Sequence, residues 1–564
     1  MYKIIILTIL TFSLSSCQQT TRVSTNHGIL IGKKSDIYRH ITEFLGVPFA
    51  EPPVGDLRFQ PPVELNSTAY GNGFEAVKRA NTCFYNRINN GFRGVDEWNP
   101  LSLPMSEDCL QLNMWVPKRK SGAVLIFIFG RGYHAGSPSI PFNDGNSLAL
   151  NTKAIVITIN YRLGAFGFSY LEGKIPGNIG LLDQQMALKW IYKNIEYFGG
   201  NRNLITIFGH GTGGSSVTAH LFSKESERYF SRAIALSGTI ENKWSSEKND
   251  VIEDNFRKLM EILNCTEGND DDKIECMKVK DPKNIVQGSL KISNPKQSKF
   301  VGPFLAVEED DVFFKGNVKM KLRNKDMKQR VSLMIGHAAG DAAYYLPQYL
   351  KGDLYNCQLN PKIDMEAEVN QCNMNETNLR NAIRLVRDDY GINDEEFIDE
   401  VIAIYDPIYR YYENKYRRIV IRFYTDILFS CDIVNFGKKV ANYIKKKKYY
   451  YVMNKRSTYN PWPLWMGPTH TYELMYLFGH SYNFPEKYNN SDRHDEKCYS
   501  FKIMRILKKF AETGETFINW RSFVRSYMNA AVLNENLEFS KISRRRNVDT
   551  KTCRKIQYLL NKYK

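Results

Sequence analysis

Five residues, Gly209-His210-Gly211-Thr212-Gly213, carry the spacing of a nucleophile turn without a nucleophile. They follow the apolar run Leu204-Ile205-Thr206-Ile207-Phe208 and precede Gly214-Ser215-Ser216-Val217, small residues suited to opening a helix. A G-x-S-x-G pentapeptide between a strand and a helix holds serine at the tip of a sharp bend, where its hydroxyl can attack an acyl carbon. Here the tip is Gly211, which has no side chain. Thr212 stands one residue past the tip, and Ser215 and Ser216 fall in the following helix, so none replaces it. The pattern predicts the architecture of an acyl-transfer site with its reacting atom missing.

Such a turn needs a sheet to hold it. Apolar strand-like runs recur at Val124–Phe129, Ala154–Ile159, Leu204–Phe208, Ala233–Leu236, Leu333–Ile335 and Tyr449–Met453. Between the second and third, Leu182, Ala187, Leu188, Ile191 and Ile195 repeat at helical spacing within Leu181–Tyr197. Strands alternating with helices predict an α/β fold with a mostly parallel sheet covered on both faces. Glu241–Arg330 is more polar, with an acidic cluster at Asn269–Asp272, and reads as peripheral helices and loops. Asn373–Tyr416 is charged and helix-like, an insertion flanking a cleft rather than a separate domain.

The chain of 564 residues is 43% hydrophobic and 24% charged, an ordinary globular balance. Its first residues read as a secretory leader over residues 1–17: Lys3, an apolar core Ile4–Leu14, then Ser15 and Ser16. Leu14-Ser15-Ser16-Cys17 also resembles a lipoprotein cleavage site, with Cys17 as the acceptor. The apolar core is too short to span a bilayer, and no later apolar run reaches about 20 residues. The C-terminus is too short and polar for a GPI tail. These features predict a secreted protein with one domain over residues 24–564. Ten cysteines and sequons at Asn66, Asn264, Asn375 and Asn489 suit that compartment. The formal charge of +17 is partly clustered at Lys445–Lys448 and Arg544–Arg546. It allows contact with polyanions, although a solvated lysine-rich face is the plainer reading. No module for nucleic acid is recognisable, and neither a metal nor a cofactor is expected.

At this point the chain resembles the type-B carboxylesterases, and among them the cholinesterases, over nearly its whole length. The strings that carry the resemblance are Phe44-Leu45-Gly46-Val47-Pro48-Phe49-Ala50-Glu51-Pro52-Pro53 with Leu57-Arg58-Phe59, and Ser106-Glu107-Asp108-Cys109-Leu110-Gln111-Leu112-Asn113. They continue with Asn160–Gly167 (NYRLGAFG) and Pro176–Gln184 (PGNIGLLDQ). The resemblance implies an α/β-hydrolase fold with a deep gorge, and disulfides Cys83–Cys109, Cys265–Cys276 and Cys431–Cys553. Cys357 and Cys372 lie outside the family pattern and can pair with each other, which leaves Cys498 alone.

The resemblance also assigns the site. His470, in Gly467-Pro468-Thr469-His470-Thr471-Tyr472-Glu473-Leu474, takes the general-base position, and Asp341 takes that of the acid, where the family has glutamate. Gly211 occupies the place of the nucleophile. Phe129-Gly130-Arg131-Gly132-Tyr133 stands where the family has three consecutive glycines, so Arg131, Gly132 and Thr212 mark a damaged oxyanion hole. His210 replaces a glutamate of the cholinesterases, which with Arg131 makes the pocket floor more positive. Trp98 lies in a segment like the choline-binding loop; Trp244 and Phe300 correspond to acyl-pocket aromatics, and Trp462 and Trp465 frame the approach to His470. Arg131 is expected to fill the vacated space by facing Asp341 or His470. The functional expectation is a non-catalytic secreted protein that binds a protein partner, or a small choline-like ligand. The alternative is a divergent ester hydrolase. The C-terminal segments Cys498–Phe510 and Thr552–Tyr563 are candidates for a homodimer contact.

Overall fold

The computed structural model describes residues 20–517, 519–524, 528–545, 548 and 551–563. The expected leader, with Cys17, and Arg546 of the second basic cluster lie outside them.

Among the described residues, thirteen strands form one mixed sheet. In chain order they are β1 Thr20–Thr25, β2 Gly28–Lys34, β3 Ile41–Pro48, β4 Gly71–Glu75, β5 Gln111–Pro117, β6 Val124–Ile128, β7 Ile155–Ile159, β8 Ile205–His210 and β9 Arg232–Leu236. They continue with β10 Ser332–Ala338, β11 Lys448–Asn454, β12 Ala530–Asn534 and β13 Ser543–Arg545. The spatial order is β1-β2-β3-β5-β7-β6-β8-β9-β10-β11-β12-β13, with β4 beside β2. The run from β7 to β12 is parallel, and antiparallel pairs finish both margins. All residues of β6, β7 and β8 are buried although alternate side chains point to opposite faces. Helices therefore cover both sides, as a continuous Val/Ile-rich run predicts.

The helices that bear on the site and its surroundings are α1 Ile179–Asn194, α2 Thr212–Ala219, α3 Val318–Asn324, α4 Cys431–Ala441 and α5 Asn490–Thr513. The acidic cluster at Asn269–Asp272 is a helix start: the Asn269 side chain accepts from the N–H groups of Asp271 and Asp272, and Asp272 accepts from that of Asn269. The charged stretch from Asn373 folds as Glu376–Asp389 and Glu396–Tyr409, helices that pack on Lys415–Thr425. Two of the long sequence strings meet in a buried ion pair, Arg162 Nη2 to Asp183 Oδ1 at 2.6 Å and Nε to Oδ2 at 2.8 Å.

All three disulfides implied by the resemblance are present, and Cys357–Cys372 forms a fourth. Cys498 is free and exposed. The four sequon asparagines are exposed. No helix among the described residues is long and apolar enough to cross a membrane. The apolar face of α5 is buried within the chain at Tyr499, Ile503, Met504 and Leu507, and the helix Lys551–Lys562 packs on Glu396–Tyr409. Intramolecular packing accounts for the amphipathic look of both C-terminal helices.

Candidate active site

β8 delivers the chain to Gly211, which turns through φ +57°, ψ −121° before α2 begins at Thr212. Glycines around the bend are required by close backbone approach. A Cβ on Gly213 would stand 2.1 Å from the Ile128 carbonyl oxygen, and one on Gly130 would stand 2.0 Å from that of His210. At Gly211 the neighbour is different. A Cβ there would lie 3.1 Å from Nε2 of His470 and 3.5 Å from its Cε1. The bend thus presents the imidazole with the point from which a nucleophile would grow.

Asp341 follows β10, and its Oδ1 lies 2.8 Å from Nδ1 of His470, while Oδ2 accepts from the Ala338 N–H at 3.0 Å. Burial, then the nearby His210, pushes the His470 imidazole well below its usual range. Burial, then the charge of Glu473, pushes the Asp341 carboxyl well above the usual carboxylate range. A neutral imidazole donating Nδ1–H to Asp341 leaves the Nε2 lone pair directed at Gly211. That is a proton acceptor with no donor before it.

His210 corrects the charge expected at the floor. Its Nε2 is 3.0 Å from Oε1 of the fully buried Glu473, which also accepts from Ser237 Oγ at 3.0 Å. Burial opposes ionisation of Glu473, yet the charge and hydrogen bond of His210 hold its carboxyl below the usual range. Counting His210 and Arg131 without Glu473 overstates the positive charge. Glu473 lies within the histidine string but shows no partner until β8 and that loop are brought together.

Arg131, Gly132 and Tyr133 keep a glycine-like backbone, at φ +73°, +72° and +62°. Non-glycine residues rarely occupy that region, so the loop holds its course against local strain. The expected contact of Arg131 with Asp341 or His470 is not made. Its Nη1 donates to the Trp98 carbonyl at 2.6 Å and to Asn99 Oδ1 at 3.2 Å. Carbonyl oxygens on the Trp98 loop satisfy the guanidinium, and the triad positions do not. Thr212 Oγ1 accepts from the Tyr133 N–H at 3.2 Å, so this hydroxyl braces the oxyanion loop.

The aromatic positions are packed. Trp98 is 3% exposed, with its ring 4.4 Å from Phe142 and edge-on to Tyr472. Trp462 packs on Phe92 and Tyr344 and donates its indole N–H to Tyr472. Trp244 donates to the Leu428 carbonyl and packs on Phe429, whose ring is 5.0 Å from that of His470. Phe300 meets Tyr349 and Tyr424, one shell further out. Trp465 is turned to the Asn370 carbonyl and carries Arg417 on its ring. Asp426, Cys431 and Cys553 also converge, but the two sulfurs are bonded to each other and offer no metal ligand.

Residues 19–554 match the model of the carboxylesterase family. The chain belongs to the carboxylesterase family. Among relatives of this carboxylesterase-family chain, acetylcholinesterase 4 of Caenorhabditis briggsae is 33% identical over 501 residues, 84% of this chain and 78% of that protein. An acetylcholinesterase of Danio rerio is 32% identical over 505 residues, covering 85% and 77%. A cholinesterase of Mus musculus is 31% identical over 527 residues, covering 90% and 81%. Gly211 and Asp341 follow the carboxyl ends of the parallel strands β8 and β10, and His470 reaches them from a loop beyond β11.

Proposed function

We propose that this chain is a carboxylesterase-family protein that does not hydrolyse esters and acts by binding. One observation carries the reading: Gly211 stands opposite His470 Nε2, and its missing side chain is the one that would begin the reaction. Loss of a triad nucleophile removes about 10⁶-fold in rate in the subtilisin example. The strained Arg131 in the oxyanion loop supports the same reading, since the hole works through unobstructed backbone donors. Four disulfides support an oxidising, extracellular setting. The buried Trp98 ring favours a protein partner over a choline-like ligand, because cation–π capture needs an open ring face.

A second reading rests on the intact His470–Asp341 pair, which could activate water in a divergent hydrolase. The two are separated by incubating the purified chain with thiocholine and nitrophenyl esters and with a fluorophosphonate probe. The binding reading expects neither turnover nor labelling. Turnover abolished by His470→Ala, or any labelled serine, sinks it.

A further inference from the structure

A cavity of about 570 Å³ lies between α3 and α4, apart from the elbow. That volume falls within the range of small-molecule sites. Its floor is apolar: Ile240, Val318 and Leu322 are buried side chains, and Tyr443 borders them. Its rim is cationic, with Lys319, Arg323, Lys438 and Lys439 against a single carboxylate, Glu241. Lys439 pairs with Glu241, Lys319 with Glu308, and Lys438 is also partnered, which leaves Arg323 as the head-group contact. Arg323 is exposed and, among the described residues, its guanidinium meets only the Met320 sulfur, at 3.9 Å.

The surroundings add to this charge. The Lys445 N–H donates to the Gln329 carbonyl at 2.8 Å, which joins two basic segments. Exposed Lys325, Arg330, Lys445, Lys446 and Lys447 have no carboxylate partner among the described residues. Burial pushes Lys328 below its usual range, against the charge of Glu227 and with a smaller contribution from Lys446. A concentrated positive field of this kind gathers anions.

We propose that this cavity binds a small amphipathic anion, with its carboxylate or sulfate head on Arg323 and its apolar tail on Ile240, Val318 and Leu322. The apolar floor distinguishes this ligand from a fully hydrophilic polyanion. A nucleic acid would need an open aromatic face for stacking, and the one aromatic ring here, Tyr443, lies under the Lys325 ammonium at 4.9 Å. The site is independent of the elbow and of the fate of its nucleophile.

The test is calorimetric titration of the full chain with decanoate, decanol and decyltrimethylammonium, which share a tail and differ in head charge. Decanoate should bind saturably at one site, decanol more weakly, and the cation least. Arg323→Gln should weaken decanoate about tenfold, the worth of one charge-assisted hydrogen bond. Lys439→Gln should also weaken it, and Arg119→Gln, on a separate exposed basic run, should leave it unchanged. Unaltered thermal melting of these surface variants separates lost binding from lost folding. Equal binding of the cation, or decanoate binding indifferent to both Arg323→Gln and Lys439→Gln, overturns the assignment. So does a chain that ignores decanoate yet binds dextran sulfate through Arg323, a result that would give the face to a polyanion.

Discussion

On one side of the site, His470 is bonded to Asp341 at 2.8 Å, with both groups buried. On the other, the backbone passes Gly211 with nothing attached, and a Cβ placed there would lie 3.1 Å from the free imidazole nitrogen. The first side keeps a proton acceptor and its orienting acid; the second keeps only the path of the chain. The path survives because it is held largely by contacts between backbone groups. Gly213 approaches Ile128, Gly130 approaches His210, and the Gly211 N–H donates to the Leu236 carbonyl at 2.8 Å. Packing preserves a bend whether or not its tip can react.

The strongest way to sharpen this contrast is to return the missing atom. Gly211→Ser combined with Arg131→Gly should raise nitrophenyl acetate hydrolysis by about 10³-fold over the unmodified chain, with His470→Ala cancelling the gain. No gain would mean that the imidazole side cannot act as a base even with a serine before it. The packing claim is broken or upheld by Gly213→Ala, whose Cβ would collide with backbone oxygen. It should cost about 3 kcal/mol or more in urea unfolding; a loss under about 1 kcal/mol would show a bend able to relax.

Buried imidazoles supply the next effect. Burial pulls His220 and His480 down to about 3, and His470 shifts in the same direction. The unfolded imidazole, near 6.5, takes up a proton that the native one refuses. Their contribution is complete above pH 6.5 and is lost as pH falls toward 3, by about 1.4 kcal/mol per pH unit for each histidine. Urea midpoints at pH 7.5 and 5 measure it, and His480→Gln should flatten the slope. An unchanged midpoint would mean that these rings are wet. The smallest effect belongs to Gly211→Ala. A side chain at φ +57° beside His470 should cost about 1–2 kcal/mol, and calorimetry showing stabilisation would contradict the strained bend.

Much of this was legible in the residues. The apolar runs at Val124, Ala154, Leu204, Ala233, Leu333 and Tyr449 each became a strand of the parallel core, because buried parallel strands are apolar on both faces. The bend at Gly211 and the His470 and Asp341 side chains that meet beside it lie in ordered strings of the sequence, and three cysteine pairs followed from the same resemblance. What stayed hidden was the direction of long side chains. Arg131 was expected to swing toward the triad, and instead found two oxygens on the Trp98 loop, distant in sequence by more than thirty residues. Glu473 revealed its role only once its loop lay beside β8. The basic surroundings of the cavity had the same origin: Lys445–Lys448 was visible as a run, but its contact with Gln329 depends on how the segment after α3 packs.

The bond between Cys431 and Cys553 spans 122 positions. A protease that cuts anywhere within that interval would leave two fragments still tethered, running as one band until thiol is added. The clasp also anchors the start of α4, a wall of the cationic cavity, to the tail of the chain, so damage in between need not release either end.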